Sequence, residues 1–326
     1  MDEYYDFKEA KEALHKYTTE RNKDNSRSRY QMCQWENGIA SKCRPLTTPD
    51  NRITKCVVTN PLTSEYEEAV LYMQGIIVDV DLPPVKFRPR PQQVRHIRQS
   101  VTLCGLGQKA FGEAMSNLYG LHTLLSRRVP PGSLERWQPA EHQGFLAAEL
   151  QNRYFTLRKF SGGMAKYPFD SFSDPRGYLE DCTTHELYHT EENHVDYFTV
   201  AAAGSDAADP ASFRVGDIVE ASFSVIMAPI GPEKYKMLLV LRSVAHVDSS
   251  HTMNADTKRS HSEHSTIPRS GAGVIKRRRG YSPPATPTAS PGTESGADMA
   301  GLAKKRKGTD DRNAESQNVG EAPMET

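Results

Sequence analysis

Apolar residues recur at helical spacing through much of the first half of this chain and at strand spacing beyond residue 194. Tyr4, Phe7, Leu14 and Tyr17 share one helical face, which predicts a short N-terminal helix. The stretch after it, through Thr54-Lys55-Cys56, is polar and broken by Pro45 and Pro49, so residues 1–60 read as mostly loop. EEAVLYMQGIIVDVDLPP begins with helix formers and turns into a strand. There Ile76, Val78 and Val80 alternate with Ile77, Asp79 and Asp81 until Pro83 and Pro84 stop it. Phe111, Met115, Leu118, His122 and Leu125 fall at i, i+4, i+7, i+11 and i+14, one face of a second helix. FLAAELQNRYFTLRKF (145–160) predicts a third, ended by Gly162 and Gly163.

The pattern then changes. VDYFTVAA, GDIVEASFSVIMAPI and YKMLLVLRSVAHVD are β-rich, and Pro229, Gly231 and Pro232 punctuate the last two as a hairpin turn. Glu220, Ser222 and Ser224 alternate with Ala221, Phe223 and Val225, which predicts a half-buried strand. The fold class read from these elements is α+β. An N-terminal helical region leads to a small antiparallel β-meander at 194–248, the two forming a folded domain over 61–248.

Residues 249–326 read as a disordered tail. They hold 12 Lys/Arg and 9 Asp/Glu, only five Leu, Ile or Val, and no Phe, Trp or Cys. Such a segment buries too little apolar area to offset ~1–2 kcal/mol of backbone entropy per ordered residue. Of the chain's 41 basic and 41 acidic groups, the first 248 residues therefore carry 29 and 32, a balance of −3. No apolar run approaches the ~18 residues of a membrane span, and the acidic opening is unlike a secretory signal. The five cysteines form no CxxC pair, which points to reduced thiols in the cytosol or nucleus.

One segment carries a catalytic pattern. His185-Glu186-Leu187-Tyr188-His189 matches HExxH, in which two His on one helix face bind zinc and the Glu serves as general base. Glu192 and Val195 stand where the extended pattern needs Gly and His, and THELYHTEEN is too polar for a buried central helix. The segment reads as a polar helix or loop, with no cofactor; a zinc-dependent hydrolase using His185 and His189 is the alternative. Gly105, Gly107 and Gly112 fit neither the dinucleotide nor the Walker spacing.

Charge runs point to partners. Lys276-Arg277-Arg278-Arg279 and Lys304-Lys305-Arg306-Lys307 suit the acidic groove of a nuclear import receptor. Between them Ser282, Thr286 and Ser290 each precede Pro, as proline-directed phosphorylation sites do, and phosphates there would mask the tetrads. In the folded part, KFRPRPQQVRHIRQ places Lys86, Arg88, Arg90, Arg95 and Arg98 around Phe87. A Pro-spaced basic strip can follow a phosphate backbone while the aromatic ring stacks on a base.

GDIVE (216–220), with Lys236-Met237 and Val240-Leu241-Arg242-Ser243, resembles a protein family of mushroom-forming basidiomycete fungi, as does His189-Thr190-Glu191-Glu192-Asn193 upstream. The resemblance covers roughly 185–248; it implies a lineage and a link to mobile genetic elements, and no mechanism. The sequence as a whole reads as a non-enzymatic nuclear protein binding DNA or RNA, or a complex built on them. A nuclear adaptor recognising protein alone is the other non-catalytic reading. The hairpin is also compatible with part of a small OB-like barrel.

Overall fold

The computed structural model describes residues 1, 3–23, 28–37, 40–48, 53–161, 163–201 and 204–265. The alternating run after Ala69 forms strand β1 (Val70–Asp81), and the basic strip leads into β2 (Arg98–Cys104). β3 is Phe145–Arg153, and the C-terminal hairpin is β4 (Ile218–Gly231) and β5 (Lys234–Asp248). Antiparallel pairing joins β1 to β2 and β2 to β3, and β3 meets β5 in parallel at Gln151↔Val240. β5 pairs antiparallel with β4, and β4 with β1, through Val225↔Leu239 and Phe223↔Leu71. The ring closes in the order 1-2-3-5-4, a five-stranded barrel of OB-like connectivity. Closure satisfies backbone groups that an open sheet would leave unpaired.

Further strands extend this ring to an eleven-stranded sheet. Thr54–Thr59 adds beside β4, carrying Arg44–Thr47 and Tyr66–Glu68, while Asp196–Ala201 runs parallel to β5. Val101, Leu103, Leu150, Phe223 and Leu241 fill the interior, and helix α2 (Lys109–Ser126) lays Phe111, Met115, Leu118, Leu121 and Leu125 onto it. Helices α1 (Phe7–Lys23) and α3 (Ser250–Ser265) share a second cluster, where Tyr5, Leu14 and Ala255 meet Ile76 and Ile218. A third cluster gathers Val94, Tyr154, Phe155, Leu179 and Leu187.

The α+β class is therefore overturned: the chain is mostly β, with three α-helices among the described residues. The decisive error is at 145–160, where strong helix formers are drawn into a strand by pairing on both sides, Val101↔Leu150 and Ala140↔Ala147. Within 1–60, the expected loop contains Arg44–Thr47 and Thr54–Thr59, held to the barrel by Ile226↔Lys55. The tail expected from 249 begins with α3, whose His251, Thr252 and Ala255 are buried. Over 218–225 β4 is buried on both faces rather than one, because Glu220, Ser222 and Ser224 all find polar partners.

Candidate nucleic-acid interface

The basic strip is the β1–β2 connection. Gln93 N–H donates to the Arg90 carbonyl at 2.8 Å, and His96 N–H to the Gln93 carbonyl at 2.8 Å, so the loop is built of successive turns. Its apolar residues Val85, Val94 and Ile97 pack on Tyr154, Phe155 and Leu187. That anchoring turns the remaining side chains outward: Lys86, Arg88, Arg90, Arg95 and Arg98 are exposed, and Phe87 is 83% exposed. Arg88 pairs with Asp181 at 3.1 Å, whereas Arg90 and Arg95 have no acidic partner among the described residues. All six residues of the expected contact strip thus lie together at one end of β1 and β2.

Arg98 opens a second feature. On β3, Ala148, Leu150 and Asn152 point into the barrel, so Gln151 and Arg153 point out, and Arg153 lies directly opposite Arg98. Both arginines line a groove that crosses the outer faces of β3, β5 and β4. Gln151, Val240, Leu238, Ile226 and Ala228 line it from the barrel strands, with Phe160, Met164, Lys55 and Glu192 beside them.

Lys55 and Arg242 are neutralised within the groove. Arg242 Nη2 donates to Glu68 at 2.7 Å and to Glu192 Oε2 at 2.8 Å, and Lys55 Nζ donates to Glu192 Oε1 at 2.7 Å. The two cations hold the Glu192 carboxyl below its ordinary pKa, against the opposing effect of burial. Arg98 has Gln151 Oε1 at 2.6 Å and no carboxylate. Arg153 has no ion pair among the described residues; its pKa is lowered, first by partial burial of the guanidinium and then by Arg98 beside it. The surplus charge of the groove is carried by these two arginines.

The HELYH segment is not a helix. Leu187–Tyr188 pairs with Thr156–Leu157 as a two-stranded sheet, so His185 and His189 do not share a helical face. His185 is exposed, while His189 is 2% exposed. His189 Nδ1 donates to the Tyr154 carbonyl at 2.7 Å, and its ring stacks on Phe169 with centroids 4.2 Å apart. Burial lowers its pKa to about 4. Among the described residues no cluster of three metal-ligating side chains forms. The zincin geometry is lost because no helical turn brings the two rings together: His185 lies in a turn closed by the Thr184 N–H on the Leu187 carbonyl at 2.7 Å, and His189 follows the strand.

The tetrads Lys276–Arg279 and Lys304–Lys307, and Ser282, Thr286 and Ser290, lie outside the described residues. Arg153, Gln151, Phe160, Met164 and Lys55 are groove residues that the sequence reading passed over. The signal for the first two was present. His142-Gln143-Gly144-Phe145 is a two-residue hairpin turn with positive φ at Gln143 (49°) and Gly144 (80°), the geometry that favours Gly at such a site. A hairpin there makes the following residues a strand, with Arg153 on its outer face.

No known family model matches the chain, and a search of curated proteins finds no match. Among solved structures, the chain is similar to the single-stranded DNA binding protein encoded by bacteriophage T7, with 10% identity over 55% of this chain and 86% of that one, at a TM-score of 0.32. It is also similar to the single-stranded DNA-binding protein from bacteriophage Enc34, with 11% identity over 65% of this chain and 99% of that one, at a TM-score of 0.30. Likenesses this loose transfer neither a site nor an activity.

Proposed function

We propose that this chain binds nucleic acid, single strands in preference to duplex, through the β1–β2 loop and the outer ends of β2 and β3. The observation that carries the reading is the loop itself. Its apolar residues are fastened to the third cluster, and Phe87, Arg90 and Arg95 are thereby presented to solvent. In five-stranded OB-like barrels the connection between the first two strands and the adjacent sheet face is the ligand-facing region. An exposed ring can stack on an unpaired base, which a duplex keeps inside its own stack. The folded part carries a net −3, so attraction must be local to this patch rather than general to the domain.

Photo-cross-linking tests the reading. Full-length protein irradiated with a thymine-rich single strand is expected to yield nucleotide adducts on peptides from 86–98. Adducts confined to the opposite side of the barrel, or none, would overturn it.

The nucleus is the proposed location. The two basic tetrads, spaced by Ser-Pro and Thr-Pro sites, suit recognition by an import receptor and control by phosphorylation. Replacing both tetrads with Ala in the full chain is expected to abolish nuclear accumulation of a fluorescent fusion. Unchanged accumulation would place the signal elsewhere.

A further inference from the structure

We infer that the groove over β3, β5 and β4 seats one nucleotide unit of a bound strand, with its phosphate on Arg98 and Arg153 and its base against Phe160, Met164 and Leu238. The inference rests on the nucleic-acid reading and extends its contact region from Arg98, where the loop ends, across the outer faces of β3, β5 and β4.

The argument begins with charge. Four cations line the groove, Lys55, Arg98, Arg153 and Arg242. Two carboxylates, Glu68 and Glu192, are bonded to Lys55 and Arg242 and cancel them. Arg98 and Arg153 are left side by side, fixed by their strand register, with no carboxylate on either among the described residues. Two like charges held together repel, and an anion placed between them removes the repulsion. Guanidinium groups suit a phosphate, whose oxygens accept paired N–H bonds.

The apolar part of the groove explains the rest of the ligand. Phe160 is 40% exposed and lines the groove together with Met164, Ile226, Leu238 and Val240. Lys159 Nζ lies 4.8 Å from the Phe160 ring centroid, which adds a cation beside the aromatic wall. A flat ring carrying a negative group at one end matches this lining: ring against Phe160 and the apolar strand residues, negative group at the two arginines. Gln151, whose Oε1 accepts from Arg98, keeps its amide N–H groups for the polar edge of a base. A free inorganic anion would use the arginines and leave the apolar wall without a partner.

The test is the salt dependence of binding to a fluorescein-labelled 20-nucleotide oligothymidine, followed by anisotropy with the full chain. Each phosphate neutralised on a single strand contributes about −0.7 to the slope of log affinity against log salt. Arg98→Gln/Arg153→Gln is expected to flatten the slope by about 0.7 and to weaken binding roughly tenfold at low salt. Arg98→Lys/Arg153→Lys keeps the charge and is expected to keep the slope, which separates loss of charge from loss of fold. Phe160→Ala is expected to weaken binding on the order of tenfold with an unchanged slope, as removal of a stacking partner does. If the wild type binds and the double Gln variant keeps both slope and affinity, the groove seat is overturned, while binding through residues 86–95 of the loop stands. If the wild type itself fails to bind the oligonucleotide at low salt, the function and the seat fall together.

Discussion

Arg21 on α1 grips Glu220 on β4 at two points, Nε to Oε2 at 2.7 Å and Nη2 to Oε1 at 2.6 Å, across 199 positions of sequence. Gln74 Nε2 also donates to Glu220 Oε2 at 2.6 Å, and both Gln74 and Glu220 are buried. A carboxylate is acceptable on the covered face of a barrel strand only with such partners. Breaking a buried pair by deleting one member leaves an uncompensated charge. Arg21→Met is therefore expected to lower stability by about 3 kcal/mol in urea unfolding. Arg21→Met/Glu220→Gln should recover part of that loss; no recovery would mean that Arg21 acts through packing alone.

Stability should fall with acid before the carboxylates titrate. His189 has a pKa of about 4 in the folded chain against 6.5 for an unburied His, because burial disfavours its charged form. Between those values the unfolded chain binds a proton that the folded chain refuses, so stability drops as pH falls from about 6.5 to about 4. The full difference is about 3 kcal/mol. His194 works the other way: its bond to Asp196 at 3.1 Å raises its pKa, and it favours the folded state in acid. His189→Gln keeps a donor for the Tyr154 carbonyl and should flatten the pH profile across this window. A profile unchanged by that substitution would contradict the assignment.

Two glycines in α2 have room to spare. A Cβ added at Gly112 or Gly120 would meet nothing within 4 Å. Gly112→Ala and Gly120→Ala are each expected to raise stability by about 1 kcal/mol, from helix propensity alone. Gly216 is the opposite case. Its φ is +104°, and an added Cβ would lie 2.8 Å from Tyr5 and 2.9 Å from Thr252. Gly216→Ala should be destabilising, and thermal unfolding of the three variants gives the comparison directly.

What the sequence revealed was local. α2 and the β4–β5 hairpin were legible because period and turn residues lie within a few positions of one another. Even in α2 the true buried face includes Leu121, while His122 turns aside to the Glu135 carbonyl at 2.8 Å. Barrel closure was not legible, since the parallel pairing of β3 with β5 joins distant segments and leaves no periodic trace. Glu220, Ser222 and Ser224 looked like a solvent-facing row because alternation reports polarity, not exposure. Gly216 of the GDIVE motif shows the same limit: its carbonyl accepts the Tyr5 hydroxyl at 2.6 Å, a packing role that no motif spelling contains.

The basic strip was legible as chemistry and not as geometry. Composition singled out Lys86 through Arg98, but only the packing of Val85, Val94 and Ile97 shows that the strip is a fixed loop between two barrel strands. Arg153, reached from β3, was hidden by the helical reading of its segment.

The most direct test of the account is an anisotropy titration of full-length protein against a labelled 20-nucleotide single strand and the matching duplex. It is repeated with Lys86, Arg88, Arg90 and Arg95 all changed to Glu. These side chains are exposed, so the fold should survive, which circular dichroism verifies. The account predicts tighter binding of the single strand than of the duplex at low salt. For the charge-reversed chain it predicts a salt slope flattened by up to about 0.7 for each phosphate no longer neutralised, and at least a roughly tenfold weaker affinity. Equal affinity of the native and charge-reversed chains for the single strand would contradict it.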